Sequence, residues 1–364
     1  MHPSDMARDS CPEDYSPCTC VANGPSALYV TCTNASIEEI QDVFYRTRTV
    51  DLYRVELFLT RSMSGTTHLP ADLLQDKRAQ EILMFCPVDA EPKLGLTFDP
   101  AAFEFSRFNT NYFALDGCDL ASQTDMLFLN DFSILDTLIL YRVDNIGSVS
   151  TLPTFTLPAL KIFAIMNCTG LQNVTFPDLT PATLEQLVVQ RSHLDDSTVN
   201  DILVSVGSSS SASSLWAISL EANALTKLPR IAAFSKLVYY DVSSNVIPYI
   251  SQSSLVFSDP VFSLDLSNNS ITAIEGELAE TSWVMLEYNQ LTEFREDVFL
   301  PMLQQMNGTS GELRVTGNPF DCGCSLAWLI RDNPTLITYV KGGVCGGFFS
   351  SRTSTQSLTS TARN

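Results

Sequence analysis

The stretch 261–274, VFSLDLSNNSITAI, places apolar residues at an uneven but orderly spacing. Leu264 and Leu266 alternate with polar residues, which predicts a short β-strand with one buried face. Asn269 follows this strand, and its side-chain amide can both donate to and accept from the backbone of a turn. The isoleucines after the turn would return to the same core. Because so short a unit cannot cover its own apolar side, the pattern predicts copies stacked above and below it.

Copies with an asparagine at the turn position occur through the second half of the chain. They centre on Asn223, Asn245, Asn269, Asn289 and Asn318. The steps between these asparagines are 22, 24, 20 and 29 residues, which match the period of about 20–29 residues of leucine-rich repeats. The spacing therefore predicts an α/β solenoid, a leucine-rich-repeat right-handed superhelix with a curved parallel sheet.

The first half keeps the pattern with other residues at the turn position. These are Cys86, Cys118, Val143, Cys168 and Ser192. We interpret the three cysteines as buried thiols that behave as small hydrophobes, with their redox state and that of Cys324 left open. Residues 195–206 predict a short helix capped by Asp195 or Ser197. The following segment 207–214, GSSSSASS, predicts a flexible excursion between repeats.

Cysteine clusters flank the repeats. Near the N-terminus the pattern C-x6-C-x-C-x11-C predicts a small disulfide-tied cap over the first apolar layer. Zinc is the alternative for clustered cysteines, but the sequence offers no CxxC pair and no nearby histidine. At the other end, NPFDCGCSLAWLI over 318–330 predicts a cap whose helix 325–330 covers the last layer.

The predicted organisation has five segments. They are a disordered N-terminus 1–10, an N-terminal cysteine cap 11–34, leucine-rich repeats 35–318, a C-terminal cap 319–345 and a disordered Ser/Thr-rich tail 346–364.

Composition narrows the classes of function. Apolar residues make up 45% of the chain, which excludes a wholly disordered protein. The net charge of −20 argues against nucleic acid or an anionic membrane as partner and permits cationic partners. No apolar run is long enough to span a membrane. The first ten residues lack an apolar core, so no signal peptide is visible and we interpret the start as that of a mature or incomplete chain.

Other features of the sequence are nevertheless typical of secreted proteins. Five N-x-S/T sequons occur, at Asn34, Asn167, Asn173, Asn268 and Asn307. Together with two cysteine caps they predict a glycosylated extracellular protein.

Catalytic motifs are absent from the sequence. The chain has three histidines, none with a recognisable nucleophile partner. It contains no P-loop, GxGxxG, HExxH or GxSxG motif. We therefore predict no catalytic residues, no metal and no cofactor.

The outward residues of the strands should form the partner-binding face, because solenoids bind through their concave sheet. This face is apolar and aromatic in its N-terminal half and acidic in its C-terminal half. The residues predicted to contact a partner are Tyr112, Ile139, Tyr141, Ile162, Met166, Glu221, Asp241, Asp265 and Glu287. The apolar half would dock a protein partner or a second copy; the alternative is that loops or a glycan cover it.

The cap CPEDYSPCTC, the I-x2-I-x3-F step at 37–44 and NPFDCGCSLAWLI together resemble secreted arthropod leucine-rich-repeat proteins. Among these, the chain is similar to the non-catalytic subunit of oplophorus-luciferin 2-monooxygenase over Cys11 to Cys345. In that family the repeat subunit is not the catalyst, and a separate small chain carries out oxygenation. The resemblance implies a secreted protein that holds a partner, either a small secreted catalytic subunit or a receptor or ligand. A stabilising subunit of a luciferin monooxygenase complex is the alternative to a general binding protein.

The resemblance also implies disulfide pairings. In such N-terminal caps the bonds run first to third and second to fourth, which would join Cys11 to Cys20 and Cys18 to Cys32. The C-terminal cap usually carries four cysteines, but only three are present here. A bond between Cys322 and Cys345 would leave Cys324 without its usual partner.

Overall fold

The computed structural model describes residues 11–23, 27–60, 65–89, 91–146, 157–173, 183–254, 261–276, 278, 281–308, 310–321 and 323–343. It divides into two compact units, residues 1–188 with 208–211 and residues 189–207 with 212–364. The two predicted disordered termini and the predicted Cys322–Cys345 bond fall outside the described residues. No described helix is long and apolar enough to cross a membrane.

The first unit is built on parallel strands joined by returning arms. Its elements are β1 (Thr19–Ala22), β2 (Leu28–Thr33), α1 (Ile37–Arg46), β3 (Asp51–Phe58), β4 (Thr66–Leu69), β5 (Arg78–Phe85), β6 (Gly95–Phe98), β7 (Tyr112–Asp116), β8 (Thr137–Tyr141), β9 (Ile162–Met166) and β10 (Gln186–Gln190). The main sheet runs β1-β2-β3-β5-β7-β8-β9-β10, and β4 pairs with β6 on the returning arms. Strands β1 and β2 are antiparallel, whereas the pairs β2–β3, β3–β5, β5–β7, β7–β8 and β8–β9 are parallel.

Buried and half-exposed side chains alternate along these strands. In β7, Phe113 and Leu115 are buried while the residues on either side of them are half-exposed, as expected for one face turned to a core. Helix α1 starts in a capping box, because Ser36 and Glu39 each accept a hydrogen bond from the other's backbone. The apolar spacing at 37–44 thus forms a helix that buries Phe44 on the returning arm.

The second unit repeats the scheme with shorter strands. Its elements are α2 (Asp196–Ser208), β11 (Ala217–Ser219), β12 (Tyr239–Asp241), β13 (Tyr249–Ile250), β14 (Ser263–Asp265), β15 (Ala273–Ile274), β16 (Trp283–Met285), α3 (Glu296–Met306), β17 (Glu312–Arg314) and β18 (Val340–Lys341). The strands β11-β12-β14-β16-β17-β18 are parallel neighbours, and β13 pairs with β15 on the returning arms.

A ladder of buried asparagines ties successive turns of the second unit together. Asn269 donates to Val242 O at 3.0 Å in the preceding repeat and to Leu266 O at 3.2 Å in its own. Its carbonyl oxygen accepts from the backbone N of Ile247 at 3.0 Å. Asn223, Asn245, Asn289 and Asn318 make equivalent contacts. The asparagine therefore satisfies backbone groups that the irregular arm leaves without a ladder partner, as its position in the pattern predicts.

Disulfides hold the start of the first unit. Cys11 is bonded to Cys20 and Cys18 to Cys32, the pairing implied by the resemblance. The interpretation of Cys86 and Cys118 as thiols is wrong, because these two are joined to each other. They occupy the same turn position in successive repeats, and the parallel stack brings their Cα atoms to 5.1 Å. The thiol of Cys168 is buried and donates to Leu140 O at 3.4 Å, and the thiol of Cys324 is exposed.

Two local predictions need correction. Residues 207–214 do not form a flexible excursion, because α2 continues to Ser208 and a 3-10 helix follows at Ser210–Ser213. Two serines of this segment are buried, with Ser209 8% and Ser211 0% exposed. The single C-terminal helix is instead a 3-10 turn, Cys324–Leu326, followed by a π-helical turn, Trp328–Asp332.

The C-terminal cap still covers apolar surface as predicted. Trp328 is 6% exposed and its ring stacks on Phe294 with centroids 5.9 Å apart. The indole Nε1 donates to Phe294 O at 3.1 Å, which satisfies the buried N–H.

Asp195 caps α2, since its Oδ1 accepts from the backbone N of Thr198 at 2.8 Å. Hydrogen bonds from the backbone N and the side chain of Thr198 lower the pKa of the Asp195 carboxyl. Replacing Asp195 with alanine is expected to lower the free energy of unfolding by about 1 kcal/mol, measured by urea denaturation. An Asp201→Ala change on the exposed side of the same helix should cost less; equal losses would contradict the capping role.

Candidate partner-binding faces

In the first unit, the strand register arranges the outward side chains in three columns. The first column is Tyr29, Arg54, Glu81, Tyr112, Thr137 and Ile162. The second is Thr31, Glu56, Leu83, Ala114, Ile139 and Ala164. The third is Thr33, Phe58, Phe85, Asp116, Tyr141 and Met166. The columns start polar on β2 and become mainly apolar toward β9.

We call the following set the apolar face: Phe58, Leu83, Phe85, Tyr112, Ile139, Tyr141, Ile162 and Met166. Tyr141 is 37% exposed and Phe58 38%, and the other members are half-buried. The rings of Phe58 and Phe85 stack with centroids 4.5 Å apart. Contiguous apolar surface that includes aromatic side chains is typical of protein interfaces.

An ion pair fixes the most exposed tyrosine of this face. The Arg142 guanidinium donates from Nε and Nη2 to the two Asp116 oxygens, at 2.8 and 2.6 Å. These hydrogen bonds raise the pKa of Arg142. The same guanidinium lies 4.7 Å from the centroid of the Tyr141 ring, a cation–π contact. The ion pair and the cation–π contact therefore hold the Tyr141 ring in one orientation on the surface.

Charged side chains border the apolar face on β3 and β5. Arg54 Nε lies 2.5 Å from Glu81 Oε2, and its Nη1 lies 3.5 Å from Glu56 Oε1. Tyr112 is the register partner of Glu81. Burial, and then the Glu81 charge, raise the pKa of the Tyr112 hydroxyl, so this tyrosine stays neutral at physiological pH.

The five residues predicted in this half lie together on the face: Tyr112, Ile139, Tyr141, Ile162 and Met166. Whether they contact a partner stays a prediction. Ala164 is the register partner of Ile139 in the second column, but it is only 4% exposed. Sequence reasoning missed Phe58, Leu83 and Phe85, although their alternation with buried residues in β3 and β5 was a usable signal.

In the second unit, the outward columns have a different character. One column is Ala217, Tyr239, Ser263, Trp283 and Glu312, and the next is Ser219, Asp241, Asp265, Met285 and Arg314. Glu221 and Glu287 follow their strands by two residues. The four predicted acidic residues thus lie along one face, which we call the acidic row: Glu221, Asp241, Asp265 and Glu287.

Asp241 is less accessible than its predicted contact role requires. It is only 6% exposed because it accepts hydrogen bonds from Ser219 Oγ at 2.9 Å, the Ser243 backbone N at 2.9 Å and Tyr239 Oη at 3.4 Å. The Asp241 carboxylate is therefore engaged with these three groups of the face and is not open on its surface.

The carboxylates of the row are close enough to affect one another. Burial raises the pKa of Asp265, and the charges of Asp241 and Glu221 raise it further. Burial also raises the pKa of Glu287, against the opposing effect of Arg314. The pKa of Tyr239 rises to about 12, through burial and then the charges of Asp241 and Asp265. Negative charge is therefore held here at some cost to the folded state.

The double variant Asp265→Asn/Glu287→Gln is expected to melt at a higher temperature than the wild type at neutral pH. Both carboxyls have folded-state pKa values above their ordinary values of 3.8 and 4.5. Their contribution to stability is therefore fully present below those values and is lost as the pH rises through the folded-state values. The gain of the variant should shrink on acidification. Thermal melts from neutral pH down to below these pKa values test this prediction, with the exposed pair Asp201→Asn/Glu293→Gln as control. A gain in melting temperature that persists in acid would contradict it.

Four sequon asparagines are exposed: Asn34, Asn167, Asn268 and Asn307. Asn173 ends a 3-10 helix, Leu171–Asn173. Asn167 directly follows Met166 of the apolar face, so a glycan there would border that face. Glycosylation of all five stays a prediction.

Small-molecule or metal chemistry finds little support in the described part of the chain. There, no three His, Cys, Asp or Glu side chains are grouped so that they could hold a metal ion. A cleft of about 670 Å³ lies beside the start of α2 and is lined by Asp196, Thr226, Lys227 and Tyr249 among others. Asp196 already accepts hydrogen bonds from the backbone N of Thr226 and Lys227. The sheet faces are therefore the stronger candidate sites.

Comparison with known proteins gives the fold. No family model and no curated protein match this chain. Among solved structures it is similar to a chain of the mouse RP105/MD-1 complex, with a TM-score of 0.50 and 12% identity over 88% of this chain and 60% of that one. An internalin of Listeria monocytogenes, inlF, matches with a TM-score of 0.49 and 16% identity over 82% and 75%.

InlP of the same bacterium matches with a TM-score of 0.37 and 17% identity over 62% of each chain. None of these matches bears on the resemblance to secreted arthropod proteins or to a luciferin monooxygenase subunit, which stays a prediction. The strand order, the asparagine ladder and the likeness to the mouse chain together show a leucine-rich-repeat solenoid with a disulfide cap near its N-terminus.

Proposed function

We propose that this chain is a non-catalytic extracellular protein that binds a protein partner through the outward face of its parallel strands. The observation that carries the proposal is the apolar face on β3 to β9, where eight apolar or aromatic side chains line adjacent strands. The partner we propose is a separate protein that presents a complementary apolar patch.

Four observations support this function. Outward positions of a strand need no apolar side chain for folding, because the opposite face already supplies the core. Arg142 and Asp116 hold Tyr141 in one orientation on the surface. Three disulfides in the first unit favour an oxidising compartment. The structurally similar mouse protein RP105 forms a complex with MD-1, which supports a binding role for the fold.

The test is partner capture by a surface variant. We expect Ile139→Asp/Tyr141→Asp to reduce capture of the partner from extracellular fluid by at least about 30-fold, because the loss of central interface side chains costs about 2 kcal/mol or more. The immobilised chain is incubated with the fluid, and retained proteins are identified and quantified by mass spectrometry.

The matched control is Tyr45→Asp/Leu127→Asp. Tyr45 is 71% exposed on α1 and Leu127 39% exposed on a 3-10 turn, so the charge and the kind of side chain removed are comparable. Equal loss in both variants would assign the effect to net charge. Undiminished capture by Ile139→Asp/Tyr141→Asp would place the binding site elsewhere. Light scattering of the purified chain distinguishes a separate partner from a second copy.

A further inference from the structure

A short column of exposed apolar side chains flanks the sheet of the second unit. Trp216, Val238 and Phe262 each immediately precede a strand, β11, β12 and β14, and are 39%, 42% and 51% exposed. Backbone hydrogen bonds hold them in register: Val238 N donates to Trp216 O at 2.8 Å and Ser263 N to Val238 O at 2.9 Å. Adjacent parallel strands are about 4.8 Å apart, so the three side chains form one continuous strip, which we call the aromatic flank.

The packing of the core does not require the three side chains of the aromatic flank. Leu215, Leu237 and Val261 lie next to it in sequence and are the buried residues of each repeat, at 0%, 2% and 1% exposure. A polar side chain serves at the corresponding place one repeat later, where Ser282 precedes β16. Three large apolar residues in adjacent repeats are therefore more than the fold requires, and they expose apolar surface to water.

Negative charge lies beside the aromatic flank on the same strands. Asp241 and Asp265 are three residues after Val238 and Phe262, and Tyr239 and Trp283 lie in the column between. The strands β11, β12, β14 and β16 contain no lysine or arginine. Arg191 is paired with Glu221 at 2.8 Å, and Arg314 with Glu312 at 2.6 Å. In the described part of the chain, no lysine or arginine nitrogen lies within 4.0 Å of the Asp265 or Glu287 carboxylate, although the Arg314 charge acts on Glu287.

The combination defines what can bind. An apolar ligand alone would bring the half-buried carboxylates out of water without compensation, which is costly. A cation alone would leave the aromatic flank exposed. A chain with lysine or arginine next to apolar side chains satisfies both, because its aliphatic stems and apolar residues cover the flank while its charges reach the acidic row.

From this arrangement we infer that the second unit binds a basic, amphipathic protein segment across the aromatic flank and the acidic row. This surface is a different one from the apolar face of the first unit. A partner that binds it must carry positive charge. Tyr239 offers a ring face for cation–π contact with the same segment, whereas the Trp283 ring already has the Arg314 guanidinium 5.9 Å from its centroid. The carboxylates that repel one another in the free protein would be stabilised by that charge.

Three synthetic peptides test the inference on the full chain. A short fluorescein-labelled peptide of alternating lysine and leucine should bind, with fluorescence anisotropy rising to saturation. Peptides of alternating glutamate and leucine, or lysine and serine, should bind at least about tenfold more weakly. Absence of lysine–leucine binding, or equal binding by the lysine–serine peptide, would overturn the inference.

Variants locate the site. Asp265→Asn/Glu287→Gln should weaken lysine–leucine binding by about tenfold, and so should Trp216→Ser/Phe262→Ser. The controls are Asp201→Asn/Glu293→Gln for charge and Val204→Ser, at a residue 60% exposed on α2, for apolar surface; both should bind within twofold of the wild type. Equal weakening by the charge control would show diffuse attraction to an acidic protein and overturn the inference. Ile139→Asp/Tyr141→Asp should leave peptide binding intact, so failure of this site and failure of the proposed function are separable.

Discussion

Replacing Asn289 with alanine is expected to lower the free energy of unfolding by about 3–5 kcal/mol. Asn289 is fully buried. Its amide donates to Leu266 O at 2.9 Å and Leu286 O at 3.2 Å, and its oxygen accepts from Ile271 N at 3.0 Å. Alanine removes these partners at once and leaves buried backbone groups in two successive repeats unsatisfied, each at about 1–3 kcal/mol.

Urea denaturation followed by tryptophan fluorescence measures this loss. The neighbouring Gln290 is the matched control, because it carries the same amide group on an exposed side chain. Gln290→Ala should change the free energy of unfolding by no more than about 0.5 kcal/mol. If the two variants lose the same stability, the ladder does not hold the turns together.

Removing the disulfide between Cys86 and Cys118 is the second large expected effect. The bond closes a loop with a sequence separation of 32. Loop-closure entropy predicts that Cys86→Ser/Cys118→Ser lowers the free energy of unfolding by about 3–4 kcal/mol. The two hydroxyls would also replace sulfur at positions that are 5% and 0% exposed, which adds to the loss.

Peptide mapping of the native protein without reduction should recover the two residues as one cross-linked fragment. The thiol at Cys324 is exposed, so Cys324→Ser serves as the control and should leave stability within about 0.5 kcal/mol. Recovery of Cys86 and Cys118 as free thiols from fully native, oxidised protein would contradict the bond.

The alternation of apolar and polar residues along a strand predicted some of the outward residues of the apolar face and the acidic row but not their environment. Leu264 and Leu266 identify a strand, and alternation then assigns Asp265 to the outer face, where the structure places it. Alternation also placed Tyr112, Ile139 and Tyr141 on one face, because strands in parallel register keep equivalent positions side by side. It could not show that Ala164 is covered or that Asp241 is hydrogen-bonded beneath Tyr239, since both depend on neighbouring repeats.

The sequence by itself determined the repeating unit, since the spacing of leucines and asparagines records which side chains each turn must bury and which backbone groups it must satisfy. It also determined the alternation of outward residues along each strand. Only the tertiary structure decided which positions in different repeats meet. The Cys86–Cys118 bond, the Phe58–Phe85 stack and the Trp216–Val238–Phe262 column all join residues more than twenty positions apart. The physical reason is that repeat length varies, so the register between turns is fixed by packing and backbone hydrogen bonds rather than by separation along the chain.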